Sequence, residues 1–199
     1  MLVLIFTIEN MIKEEVFKSV EIVKSGGVLA YPSDTIWGLG CDPKNEEAID
    51  RIIEAKGRPP GKPFILLIHD IGQLYDYVAE IPEVAWDIVD WSEEPLTVVY
   101  PKGKNVSSKL LGENGSIAVR LVKKDGFCKT LLRKWNKGLV STSANIAGMP
   151  SPVKYDQIDT GILKQMDYVV SSKLAKETEV KASRIIQLGK NGEYKTLRK

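Results

Sequence analysis

Apolar positions along this chain come in short runs separated by polar or glycine- and proline-rich turns, and the spacing within the runs alternates between two patterns. Residues 2–8 form a nearly unbroken apolar run that predicts a first strand. Asn10 then reads as the cap of a helix, with Glu14 and Glu15 early, Val16, Val20 and Val23 at helical spacing, Lys24 late, and Gly26 and Gly27 as its stop. Residues 28–31 predict a buried strand that delivers Pro32, Ser33, Asp34 and Thr35 to a loop. From Asn45 the pattern is helical again: Glu46 and Glu47 lie in the first turn, Ile49, Ile52 and Ile53 on one face, Lys56 at the end, and Pro59 and Pro60 stop it.

The rest of the chain continues in this way. A strand is predicted at 64–68, helices at 72–78 and 82–90, strands at 96–100 and 116–120, and a helix at 127–135. A short strand at 139–140, a helix at 156–164, a strand at 168–170 and a hairpin of 183–188 with 194–198 complete the reading. Trp86 and Trp91 are expected to be packing residues. This irregular alternation predicts an α/β (α+β) protein: a single domain over residues 1–199 with a twisted mixed β-sheet flanked by helices. Loops at the strand ends would meet in one concave cationic cavity.

Composition narrows the function classes. The chain has 199 residues, 43% apolar and 27% charged, with a formal net charge of +2. These values fit a soluble globular domain and give too little bulk charge to attract nucleic acid by itself. Cys41 and Cys128 form neither a metal-ligand set nor a disulfide framework, and both are expected to be buried thiols in a reducing cytoplasm. His69 is the only histidine, which leaves no His-pair metal site and gives it an expected structural or surface role. The first six residues lack a basic leader and are too short to span a bilayer, so no membrane partner is expected.

Two stretches carry candidate chemistry. Lys56-Gly57-Arg58-Pro59-Pro60-Gly61-Lys62-Pro63 places three cations in a proline-held loop. Such a loop suits phosphate oxygens, and it equally suits a solvated charged surface. It is not a Walker A loop, because Pro63 stands where a magnesium-binding hydroxyl belongs and a strand follows instead of a helix. Ser141-Thr142-Ser143-Ala144-Asn145 is a run of hydroxyls and an amide that either binds polar groups or satisfies its own backbone. With Ser33, Thr35, Lys56, Arg58, Lys62, Arg120, Ser141, Ser143 and Asn145 at loops and strand ends, the predicted cavity holds cations and neutral donors but no obvious protein nucleophile.

YPSDTIWGLGCD from Tyr31, then Lys56-Gly57-Arg58, Ala118-Val119-Arg120, and Ser141 to Asn145 followed by Ser151-Pro152 together resemble the YrdC-like threonylcarbamoyl-AMP synthase family. The likeness runs from about residue 12 to the end of the chain, in the short single-domain form. The resemblance implies a nucleotidyltransferase that makes threonylcarbamoyl-AMP and pyrophosphate from L-threonine, bicarbonate and ATP, with Mg2+ accompanying the ATP. The product would feed tRNA modification through downstream proteins, with tRNA or double-stranded RNA as a further partner. Lys56, Arg58, Lys62, Ser116, Ser141, Asn145, Ser151 and Arg198 match nucleotide contacts, Lys56 and Arg58 matching the catalytic pair. Ser33, Thr35, Arg120, Ser143 and Ser183 match threonine contacts, Arg120 at the carboxylate.

Several positions depart from the family pattern. Ser33 replaces a threonine, Trp37 a tyrosine and Lys62 an asparagine; Leu67 stands where longer relatives have a histidine, so no role passes to His69. The family's Trp-Pro-Gly-Pro-Leu-Thr is replaced by Trp91-Ser92-Glu93-Glu94-Pro95-Leu96-Thr97, and its terminal Ser-Thr-Ile by Ser183-Arg184-Ile185. The alternative from another class is a non-catalytic RNA- or nucleotide-binding paralogue on the same fold.

Overall fold

The computed structural model describes residues 2–59, 62, 64–175 and 182–199, with side chains described from Thr7 onward. Its longest element is α1 (Leu2–Lys24), which takes in the residues expected to form a first strand. An apolar run of that length has no period that separates strand from buried helix. Asn10 is therefore an interior helical residue and not a cap. Val16, Val20 and Val23 are buried as their spacing requires, packing with Phe127, Leu131, Leu132 and Trp135 of α5 (Phe127–Trp135).

The remaining elements in chain order are β1 (Leu29–Pro32), β2 (Trp37–Gly40), α2 (Glu46–Lys56), β3 (Ile65–Ile68), α3 (Leu74–Tyr77), α4 (Val84–Trp91), β4 (Leu96–Tyr100) and β5 (Ile117–Leu121). After α5 come β6 (Leu139–Ser143), α6 (Thr160–Leu163), β7 (Tyr168–Val169), β8 (Arg184–Leu188) and β9 (Tyr194–Arg198). The strands form one nine-stranded mixed sheet in the order β7-β1-β2-β6-β3-β5-β4-β8-β9. β1 with β7, β3 with β5 and β4 with β8 run parallel; the other neighbours are antiparallel.

Both sheet faces are covered, and the period-two alternation of the strands assigns the residues. Leu29, Tyr31, Leu67 and Leu139 point into the layer with α1 and α5. Ala30, Leu66, Ile68 and Val140, one residue away, join Ile49 and Ile52 of α2, Leu74 of α3, Ala85 of α4 and Ile162 of α6 on the other side. The expected twisted mixed sheet flanked by helices is thus what the chain forms.

Three further differences from the sequence expectation have local causes. β2 was not foreseen, because two of its four residues are glycine and glycine is poor in strands. Here the glycines permit close packing: a Cβ on Gly40 would stand 2.6 Å from the Val140 carbonyl oxygen and 2.9 Å from the Tyr31 ring. The helix expected over 156–164 is broken into a 3-10 turn, Tyr155–Gln157, and α6; Ile158 between them is extended, and the Asp159 carboxylate caps the amides of Gly161 and Ile162. Trp91, expected to pack, is 76% exposed. Among the described residues no helix is long and apolar enough to cross a membrane.

Candidate functional site

The site lies where the ends of β1, β2, β5, β6, β8 and β9 converge, around a cavity of about 250 Å3. One wall is the turn after β1. Ser33 Oγ accepts from the amides of Thr35 (3.1 Å) and Ile36 (3.2 Å) and donates to the Ile36 carbonyl (2.7 Å). The hydroxyl therefore closes the turn itself, as short polar side chains do, and sets the reversal that starts β2. Trp37, at that start, is buried with its ring edge-on to Tyr155 at 5.4 Å.

A second wall comes from β6. The run Ser141 to Ser143 is strand and not loop, with Ser143 opposite Gly38, Thr142 opposite Leu39 and Ser141 opposite Ile65. Its backbone is engaged in the sheet ladder, so the hydroxyls are not needed to satisfy it. Ser141, Thr142 and Ser143 all line the cavity. Behind them, Tyr31 donates its hydroxyl to Ser141 Oγ at 2.9 Å.

The cationic residues arrive from three directions. α2 ends at Gly57, whose left-handed backbone (φ 53°) and amide bond to the Glu54 carbonyl terminate the helix and turn the chain toward the cavity. Arg58 then donates to Thr142 Oγ1 at 3.2 Å and lies over the Phe64 ring at 4.7 Å. Burial holds its guanidinium below the usual arginine range. Arg120 reaches in from β5 and Arg198 from β9. Arg198 donates to the Ser183 carbonyl (2.9 Å) and hydroxyl (3.2 Å), and the Ser183 hydroxyl is 2.8 Å from that of Thr97. Burial, and then the charge of Arg120, lower the proton affinity of Arg198.

Nine of the sequence candidates line this cavity: Ser33, Thr35, Arg58, Arg120, Ser141, Ser143, Ser151, Ser183 and Arg198. Lys56, Lys62, Ser116 and Asn145 stand off its wall. Lys56 is buried beneath it, and its ammonium donates to the carbonyls of Ser143 and Asn145, holding the end of β6 against the end of α2. Burial, with a smaller contribution from Arg58, lowers its pKa to about 7. Lys62 is exposed and accepts from Arg58 through its carbonyl. Pro60, Gly61 and Pro63 of the same loop lie outside the described residues. Ser116 sits just before β5, its amide bonded to the Glu113 carbonyl. Asn145 donates to the carbonyls of Ile146 and Met149 and lines a neighbouring hollow that shares Ser151 with the main cavity.

Asp34 and Tyr31 were missed as site residues. Arg120 Nη2 donates to Asp34 Oδ1 at 2.9 Å and Nη1 to Thr35 Oγ1 at 3.2 Å, with both charged side chains 5% exposed. The signal was available: an arginine closing an apolar strand must have a partner if it is buried, and the turn after β1 holds a carboxylate between hydroxyls. Of the departures from the family pattern, Ser33 and Trp37 line the cavity, whereas the two larger ones do not. Neither Trp91 to Glu94 nor Arg184 lines it; Ser183 and Ile185 do, so strand alternation turns Arg184 to the opposite face. Cys41 and Cys128 are free and buried, and burial raises both thiols. His69 bonds Asn136 at 3.4 Å at the surface.

Among the described residues no carboxylate, histidine or cysteine lines the cavity, and no three such groups are placed to hold a metal ion. These donors do not fit a resident divalent cation. The wall is built to receive anions and to donate hydrogen bonds.

The Sua5, YciO and YrdC family model, described as telomere recombination, matches residues 21–199. A Stenotrophomonas maltophilia protein named threonylcarbamoyl-AMP synthase is 34% identical over 170 residues, covering 82% of this chain and 90% of its own. The P. abyssi Sua5 crystal structure complexed with L-threonine superimposes with a TM-score of 0.78 at 28% identity, covering 87% of this chain and 50% of that one, so the present chain spans about half the P. abyssi protein. E. coli YciO gives a TM-score of 0.79 at 25% identity, covering 92% of this chain and 88% of that one. With the matched model spanning residues 21–199 and the same sheet and helix layers in the solved relatives, this chain belongs to the Sua5, YciO and YrdC family.

Proposed function

We propose that this chain is a threonylcarbamoyl-AMP synthase, a nucleotidyltransferase that converts L-threonine, bicarbonate and ATP into threonylcarbamoyl-AMP, pyrophosphate and water. The observation that carries the reading is the cavity wall itself. Among the described residues it presents three guanidinium groups and the hydroxyls of Ser33, Thr35, Ser141, Thr142, Ser143, Ser151 and Ser183, with no acid, thiol or imidazole beside them. That composition suits a reaction whose nucleophiles are supplied by the substrates. The threonine amine attacks the carbon of bicarbonate or carbon dioxide, and an oxygen of the resulting carbamate attacks the α-phosphorus of ATP as the bond to pyrophosphate breaks. The protein has to align these groups and stabilise the negative charge that spreads over phosphate and carbamate oxygens.

In this reading Arg58 and Arg198 face the phosphates and Arg120 faces the threonine carboxylate. Magnesium arrives on the nucleotide as part of the substrate. The relatives named for the same product, and the threonine-bound relative, support the assignment. A single synthase domain acting in the cytoplasm, passing its adenylate to tRNA-modifying proteins, completes the proposal.

The test is direct. Incubation with ATP, threonine and labelled bicarbonate should give a labelled adenylate, with pyrophosphate release that requires both threonine and bicarbonate. Arg58→Ala should lower kcat/KM by about 10²–10³ while the chain stays folded. Equal pyrophosphate release with threonine or bicarbonate omitted would sink the reading.

A further inference from the structure

We infer that Asp34 divides the cavity into an end for a monoanionic carboxylate and an end for a polyanion, by neutralising Arg120 and leaving Arg198 uncompensated. The inference deepens the synthase reading and rests on it for the names of the two ligands. Its observations are separate.

Two arginines of the wall differ in what they hold. Arg120 is in a buried ion pair with Asp34 and bonded to Thr35. Arg198 donates only to the two oxygens of Ser183, which carry no net charge, and among the described residues no carboxylate stands within ion-pair distance of it. Burial, and second to it the charge of Arg120, lower the proton affinity of Arg198. One of them is compensated inside the protein and the other is left for the ligand.

Asp34 itself does not line the cavity. It stands behind Arg120, and a ligand anion on Arg120 therefore feels a carboxylate just beyond the guanidinium. A single carboxylate bears this, because one charge is shared between two anions and the cation is held rigid by its partners. A pyrophosphate group with two or more charges bears it poorly, because repulsion scales with the ligand charge. At Arg198 no carboxylate of the described residues gives such opposition. Asp34 is thus a positioning residue that acts through Arg120 in two ways: it fixes the guanidinium, and it keeps phosphates off the amino-acid end.

The experiment measures binding of L-threonine and of inorganic pyrophosphate to the full chain by calorimetry, alone and together, without turnover. In the wild type the two should bind at once, with saturating threonine changing the pyrophosphate Kd by less than about twofold. Asp34→Asn keeps an acceptor oxygen for Arg120 and removes the charge; it should bind pyrophosphate about tenfold more tightly, and the two ligands should become competitive. Asp34→Glu, which keeps the charge but displaces Arg120, should weaken threonine without creating the competition. Mutual displacement in the wild type would overturn the inference, whether or not the variants fold. So would an Asp34→Asn protein that binds both ligands as the wild type does. Selective binding without synthase turnover would sink the functional reading and leave this inference standing.

Discussion

The Tyr31 hydroxyl donates to Ser141 Oγ at 2.9 Å from a position wholly beneath the cavity wall. Burial raises the phenol above its usual range, so it stays protonated at every working pH. Ser141 Oγ accepts that hydrogen bond and is left with its own proton to donate, and Ser141 lines the cavity. Tyr31 thereby makes Ser141 a donor toward whatever anion the cavity holds. Tyr31→Phe should lower kcat about tenfold with little change in KM, and cost about 1 kcal/mol of stability from the lost buried bond. Steady-state kinetics beside a denaturant titration checks both; an unchanged kcat would show that the Ser141 proton is set by something else.

Gly40 and Gly38 offer a graded test of the packing that builds β2. A Cβ at Gly40 would come within 2.6 Å of a backbone oxygen, whereas one at Gly38 would meet its nearest neighbour, the Thr142 carbonyl, at 3.3 Å. Backbone cannot swing aside as a flexible side chain can. Gly40→Ala should therefore destabilise by about 2–3 kcal/mol and Gly38→Ala by about 1 kcal/mol or less. Equal midpoints in urea for the two variants would contradict this account of why the strand tolerates two glycines.

These glycines also mark where sequence reading stopped. Sheet strands with branched or aromatic residues, such as β4 with Val98 and Val99, were legible because their side chains favour the pleat. β2 was not, because its glycines are explained by close packing on Tyr31 and by pairing with β6, the latter far away in the chain. The first ten residues failed for the opposite reason: their apolar run fits either period, and the long helix is decided by continuity with the amphipathic stretch after it. At the site, Arg58, Arg120 and the hydroxyls of β6 were readable because charged and polar groups at strand ends attract attention. The roles of Asp34 and Tyr31 depend on a pairing across 86 residues and one across 110, which no local pattern carries. Lys56 was readable as important but not as to how, since its ammonium serves two carbonyls below the wall.

Lys56 gives a stability test with a defined sign. Its pKa is lowered by burial, and next by Arg58, from 10.5 to about 7. The unfolded chain keeps the proton up to its ordinary range while the folded chain gives it up near 7, so between those values the unfolded state binds more protons. Stability then rises with pH across that window, and below about 7 both states are protonated and the dependence vanishes. The stability of the wild type relative to Lys56→Met should therefore increase by on the order of 2 kcal/mol from pH 7 to pH 9. Paired urea titrations at the two pH values measure it. A flat difference would mean that the carbonyls of Ser143 and Asn145 hold the ammonium in its charged form.

Ser33 is the position where substrate choice can be tested against turn structure. Its hydroxyl proton goes to the Ile36 carbonyl and its oxygen accepts two amides of the same turn, with Thr35 Oγ1 3.0 Å away. The hydrogen bond to substrate that the family resemblance suggests for this hydroxyl would compete with that donation, so the side chain acts first as the fastener of the turn. Threonine at this position would keep the fastener and add a methyl; alanine would remove it. Ser33→Thr should therefore leave threonine turnover within a few-fold, while Ser33→Ala should lower kcat/KM about tenfold or more as Thr35 loses its place beside Arg120. The substrate methyl still has Trp37 and Ile36 on the cavity wall to meet, and one methyl in such a pocket is worth about 1–3 kcal/mol of discrimination. Threonine should accordingly be preferred over serine by at least about tenfold in the wild type. Comparing kcat/KM for the two amino acids across the three proteins decides it: equal use of serine would place the substrate methyl away from this wall, and full activity in Ser33→Ala would show that the turn holds its shape without the hydroxyl.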